Sequence, residues 1–123
     1  MQDSRHAKRA ELLQQLFACT FTAENLASSL ESEQGTVLEV LKHLDLLDER
    51  IQLVAPERPL SEINKIDLAI LRLIVFESEH KQTPKKVLLD EAIELAKEFG
   101  SENSPRFING ALAKLLLDEF SKK

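Results

Sequence analysis

Tryptophan and tyrosine are absent from this chain of 123 residues, and it holds one cysteine, one methionine, three glycines and four prolines. So few turn-forming residues over that length speak against a β-rich domain, and the remaining composition favours helix almost throughout. Cys19 stands alone, which excludes an internal disulfide and a multi-cysteine metal site. It lies among Phe17, Ala18 and Phe21 in a helical pattern, as a small core residue would. No apolar run approaches the roughly 18 residues of a membrane span. The basic, polar N-terminus also lacks a signal peptide's apolar stretch, so a cytoplasmic protein is expected.

Several chemistries lack their residues. His6, His43 and His80 have no ligand spacing, so no metal is expected. There is no glycine-rich phosphate loop, and therefore no expected nucleotide or other cofactor. Asp67, Glu77 and Glu91 are carboxylates without an accompanying nucleophile motif. An enzyme is not expected. The simplest reading of those three acids is ion pairing with Arg72 or Lys86.

What is present is a helical pattern. A hydrophobic content of 43% fills the core of one domain, or of two helical halves of about residues 1–55 and 56–123 that share it. From Ser4 to about Cys19, Ala10, Leu13, Leu16 and Phe17 mark one helical face. Thr22 can cap a short second helix carrying Leu26 and Leu30. Val37, Val40, Leu41, Leu44, Leu47 and Ile51 predict one continuous helix from Glu33 to about Leu53. Pro56 and Pro59 then break the pattern.

From Asp67 to Phe76 the chain is apolar on every side but that of Arg72, as suits a central helix surrounded by others. Thr83-Pro84 predicts a cap with proline at the first helical position, and Gly100 closes that helix. Ser104-Pro105 repeats the start signal for a last helix running through Ile108, Leu112, Leu116 and Phe120. The expectation is an all-α bundle of about six or seven helices.

The net charge of −5 argues against indiscriminate coating of nucleic acid, but charge is unevenly spread. Arg5, His6, Lys8 and Arg9 cluster at the start, whereas Glu31, Glu33, Asp45, Asp48 and Glu49 crowd the next third. Arg5 and Arg9, four apart with Lys8 beside them, can follow a phosphate backbone, or can simply be a solvated helix start. Arg106 and Phe107 on the first turn of the last helix can bind a phosphate and stack an unpaired base; Phe107 can equally be core.

Residues 66–72, Phe76-Glu77, residues 90–97 and the closing run from Phe99-Gly100 to Phe107-Ile108-Asn109-Gly110 resemble the NusB family of bacterial transcription antitermination factors. Arg9 with the later Leu16-Phe17 pair is similar to the family's opening helix, so the resemblance covers nearly the whole chain. It implies two packed helical subdomains, binding of the single-stranded boxA element of ribosomal-RNA leaders, and pairing with ribosomal protein NusE within the Nus-factor and RNA polymerase complex.

By the same resemblance, Arg5, His6, Lys8, Arg9, Asn103, Ser104, Arg106 and Phe107 are the expected RNA-facing residues, and Asp67, Glu77 and Glu91 the expected edge of a protein-partner surface. The sequence departs from the family pattern in places. The arginine run is thinned, with His6 adding a pH-sensitive group. Arg58 stands where an aromatic is common, Asp90 where asparagine is typical, and Asn103 where aspartate is frequent. The rival readings are a protein-only helical adaptor and a stand-alone relative of the RNA-binding domain of ribosomal-RNA cytosine methyltransferases.

Overall fold

A computed structural model of the chain describes residues 4–19 and 35–117. The apolar spacing becomes six α-helices among these residues: α1 (Ser4–Cys19), α2 (Gly35–Lys42), α3 (Leu44–Val54), α4 (Lys65–His80), α5 (Lys85–Phe99) and α6 (Ser104–Leu112). A 3-10 turn at Leu60–Glu62 precedes α4, and a π-helical turn at Ala113–Leu117 extends α6. The expected helix at Thr22, the Cys19 side chain and Phe120 lie outside the described residues.

The central helix is α4. It packs against each of the other five, and all of Asp67 to Glu77 except Arg72 is buried. Asn64 caps it, its side-chain oxygen accepting from the backbone N–H of Ile66 at 2.8 Å and of Asp67 at 3.4 Å. One hydrophobic cluster runs from Leu12 and Leu16 of α1 through Val37, Ile51, Ile70 and Leu95 to Leu112 and Leu116. Truncating any of its fully buried leucines to alanine would cost about 2–5 kcal/mol.

The predicted continuous helix of residues 33–53 is broken. At His43 the backbone turns to φ −106°, ψ 15°, and α3 begins at the next residue. The ring explains the break. Its Nδ1 lies 2.8 Å from the carbonyl oxygen of Glu39, and the ring packs against Phe76 and His80 of α4. A side chain that bonds the backbone one turn back competes with continuation of the helix.

The start of α5 also differs from expectation. Pro84 precedes the helix rather than opening it, and Thr83 does not cap it. The Thr83 hydroxyl donates instead to Glu77 Oε2 at 2.9 Å.

Candidate nucleic-acid interface

Arg9 sits four residues before Leu13 and seven before Leu16, on the apolar stripe of α1, and this register carries it inward. It is only 7% exposed. Its guanidinium grips Glu77 of α4 in a bidentate pair, Nε to Oε1 at 2.9 Å and Nη2 to Oε2 at 2.7 Å, and Nη1 donates to Glu91 of α5 at 3.2 Å. Burial pushes the Glu77 carboxyl up, but the hydrogen bonds from Arg9 and Thr83 and the Arg9 charge outweigh it, and the net shift is downward. Arg9 therefore fastens three helices together, with all three of its nitrogens turned to carboxylates rather than to a phosphate.

This corrects the expected pairing. Glu77 and Glu91 meet Arg9, while Arg72 makes its own bidentate pair with Asp48 at 2.8 and 2.9 Å, tying α4 to α3. Glu77 is 8% exposed and, with Arg9, lies in the wall of the groove bordered by Arg5 and Lys8, its carboxylate taken up by Arg9 and Thr83; Glu91 is half-buried beneath α1.

Next to this pair, His6 lies between two carboxylates of α5. Nδ1 is 2.8 Å from Glu91 Oε1 and Nε2 is 3.0 Å from Glu98 Oε1. These hydrogen bonds, to Glu91 and then Glu98, hold the imidazole above its ordinary pKa against the opposing effect of burial. His6 is thus turned towards α5.

Arg5 and Lys8 lie on the outer face of α1, both exposed, with Lys8 Nζ 4.0 Å from Glu11 Oε1. They border a groove of about 570 Å³ between the first turns of α1 and the connection from α4 to α5. Lys81 adds a third cation to the rim, and Leu12, Phe76 and Val87 contribute apolar surface. Val87 is 43% exposed, unusual for its type, while Leu12 and Phe76 belong to the buried core. Cations around an apolar floor suit a strand that offers phosphates and unstacked bases together.

The second expected cluster lies where α6 begins. Arg106 and Asn103 are exposed. Phe107 is half-buried, with the Arg58 guanidinium 5.1 Å from its ring centre. Arg58, at a position where the family commonly has an aromatic, still makes its contact through a ring. Ser104 is not on the surface: its Oγ accepts from the Ser101 N–H at 2.8 Å inside the tight turn. That turn demands Gly100, since a Cβ there would come within 2.5 Å of Ser104 Cβ and 2.8 Å of the Ala96 carbonyl oxygen.

Asp67 is buried beside the same turn at 4% exposure, with Oδ1 lacking a hydrogen-bond partner. Burial raises its pKa against a hydrogen bond with Ser104 and the Arg58 charge. It too is placed within the fold, away from a partner-facing edge.

Sequence reasoning missed Lys81, Thr83 and Glu98. Thr83 reads as a helix cap, and Glu98 carries no spacing signal, because the partner of each lies on a helix other than the one its place in the chain suggests. Lys81, just past the end of the central helix, had only its charge to mark it.

Among the described residues there is no group of histidine, cysteine and acidic side chains that could hold a metal, and no helix long and apolar enough to cross a membrane. Fold and groove together define a small all-α bundle with a cationic, apolar-floored groove at one end of its central helix.

The family model of the NusB family matches residues 30–116. The transcription antitermination protein NusB of Roseiflexus sp. (strain RS-1) is 36% identical over 133 aligned positions, covering 94% of each chain. That of Dehalococcoides mccartyi (strain CBDB1) is 48% identical over 77 residues, 62% of this chain and 54% of its own. T. maritima NusB superposes with a TM-score of 0.79 at 27% identity, covering all of this chain and 94% of the other. The chain belongs to the NusB family.

Proposed function

We propose that the protein is a bacterial transcription antitermination factor that binds boxA-like single-stranded RNA of ribosomal leader transcripts and pairs with NusE, acting in the cytoplasm within the Nus-factor and RNA polymerase complex. The observation that carries the RNA-binding part is the groove rimmed by Arg5, Lys8 and Lys81 over Val87 and Phe76. Its curated relatives support the wider role, since they are named transcription antitermination proteins rather than enzymes.

Arg5, Lys8 and Lys81 contact phosphates, while Arg106 with Phe107 at the start of α6 provides a second cation and a ring. Asn103 offers a neutral amide there. Arg9, His6 and Ser104 support these groups from within rather than touching RNA. Asp67 and Glu77 likewise shape the fold beneath any partner, and Glu91 holds α1 in place.

The test is the affinity of labelled boxA-like RNA across a salt series, with and without NusE. Arg5→Glu combined with Lys8→Glu should weaken binding at low salt and flatten the salt slope by about 0.7 for each phosphate no longer neutralised. Unchanged affinity and slope in that variant, with the helical signal intact, would sink the assignment of the groove.

One observation favours protein binding as well. On α3, Leu46 and Leu53 are 56% and 75% exposed beside Asp45 and Glu49, an apolar strip with an acidic border. A protein-only adaptor would use this face and show no RNA binding at any salt concentration.

A further inference from the structure

His6 has both ring nitrogens on carboxylates, Nδ1 on Glu91 and Nε2 on Glu98. A neutral imidazole has a single N–H, so one nitrogen would turn a lone pair toward a carboxylate oxygen about 3 Å away. Only the imidazolium donates to both. The bridge observed here is therefore the bridge of the charged ring.

The surroundings make that charge consequential. Around the ring stand Glu91 and Glu98 of α5 and, on its own helix, Arg9, which shares Glu91 and is bound on its other side to Glu77 of α4. Arg9 and Glu77 neutralise one another, and Glu91 is shared between Arg9 and His6. Glu98 has only His6 among these groups, and its side chain is 47% exposed. It sits on the last turn of α5, just before the turn that leads to Asn103 and Arg106, and it touches the helix that carries Arg5 and Lys8. Glu98 lies on the flank of α1 that carries Ala7, Ala10 and Glu11, so an uncompensated carboxylate there adds to the acidity of Glu11 across the helix from Arg5 and Lys8 and weakens the attraction of that end of the molecule for phosphates.

We propose that His6 is a proton-dependent positioning residue for RNA binding: as the imidazolium it clamps the first turn of α1 to α5 and cancels Glu98, and on losing its proton it releases Glu98 to oppose the RNA. This rests on the RNA-binding reading above and adds its regulation. His6 is then a cation that serves the RNA without touching it. The hydrogen bonds to Glu91 and Glu98 hold the ring above its ordinary pKa, so the transition falls above the usual histidine range.

The experiment pairs two measurements on the full chain. Affinity for labelled boxA-like single-stranded RNA is measured at constant ionic strength between about pH 6 and about pH 8.5, where phosphates keep their charge and histidine titrates. The wild type should weaken about two- to fivefold as pH rises, the range for one screened charge at a partly exposed site. His6→Gln should bind with no pH slope. Glu98→Gln should also lose the slope and bind more tightly than wild type at the upper end.

In parallel, the His6 ring resonances of the RNA-free protein should titrate above the ordinary histidine value, and closer to it in Glu98→Gln. Equal pH slopes in wild type and His6→Gln would hand the effect to His43 or His80 and overturn the proposal. So would RNA binding that is flat with pH. Absence of binding at every pH would overturn the antitermination reading itself and the coupling with it, while a ring titration indifferent to Glu98→Gln would overturn the clamp independently.

Discussion

Two buried carboxylates at opposite ends of α4 make an instructive pair. Glu77, near the C-terminal end, receives the Arg9 fork and the Thr83 hydroxyl, and its pKa falls. Asp67, near the N-terminal end, is buried at least as deeply, has an oxygen without a partner, and its pKa rises. Burial acts on both in the same direction; what differs is whether a guanidinium from another helix arrives to meet the charge. The Glu77 end is a rigid fastening between three helices, and the Asp67 end is held by shape, through Gly100, Ser104 and the stacked Arg58 and Phe107.

The largest expected break of this contrast is Arg9→Met, which leaves Glu77 buried without its cation. It should cost about 3–5 kcal/mol in urea unfolding at neutral pH. The pH profile sharpens it. Glu77's folded pKa lies below its unfolded value, so its contribution is complete above the ordinary carboxylate range and is lost as pH falls through the depressed folded value. In Arg9→Met the shift reverses, because burial then dominates, and that variant should regain stability on mild acidification. A variant that loses stability in parallel with wild type would show that Arg9 is not what holds Glu77 ionised.

At the other end, Gly100→Ala should cost about 1–3 kcal/mol, since its Cβ meets Ser104 and a backbone carbonyl that cannot both move aside. Ser104→Ala combined with it should recover little, because Ser104 Cβ is itself one of the clashing atoms. Thermal unfolding of the two variants decides the matter.

Asp67→Asn should have a smaller effect of opposite sign. Asp67's folded pKa is raised, so its favourable contribution is present below the unfolded value and lost as pH rises through the folded one. A permanently neutral amide removes that loss, and at neutral pH the variant should equal wild type or exceed it by up to about 1 kcal/mol. Marked destabilisation would mean that the hydrogen bond with Ser104 and the Arg58 charge outweigh the burial of the carboxylate. Smallest of all, Arg58→Ala should cost about 0.5–1 kcal/mol, the value of a cation over a ring at an exposed site. A shift in the Phe107 ring resonances would report the departure of the guanidinium directly.

Much of the fold was readable from residue order. The outlines of α1, the buried run of α4 and the Gly100 stop correspond to the structure, because apolar spacing and local stop chemistry act within a few residues of one another, whereas Ser104 opens α6 instead of capping it, with Asn103 at the cap position. The break at His43 was not readable, since it depends on a ring that packs against Phe76 and His80 of another helix.

The candidate site divides along the same line. That basic residues open α1 and that Arg106-Phe107 opens α6 is plain in the sequence. Arg9 stood on the apolar stripe of α1, a sign of burial that the nearby cations concealed.

The sequence by itself determined an all-helical chain, the order of its helices, and which segments are rich in positive charge, since each follows from neighbours along the backbone. Only tertiary structure decided which of those charges face outward. Arg9 and His6 became internal fasteners and Arg5, Lys8 and Lys81 the rim of a groove, because the acids that claim the first two, Glu77, Glu91 and Glu98, come from helices far along the chain. Charge along a sequence is additive, but access to it depends on how the helices pack, and packing is fixed by the core they share.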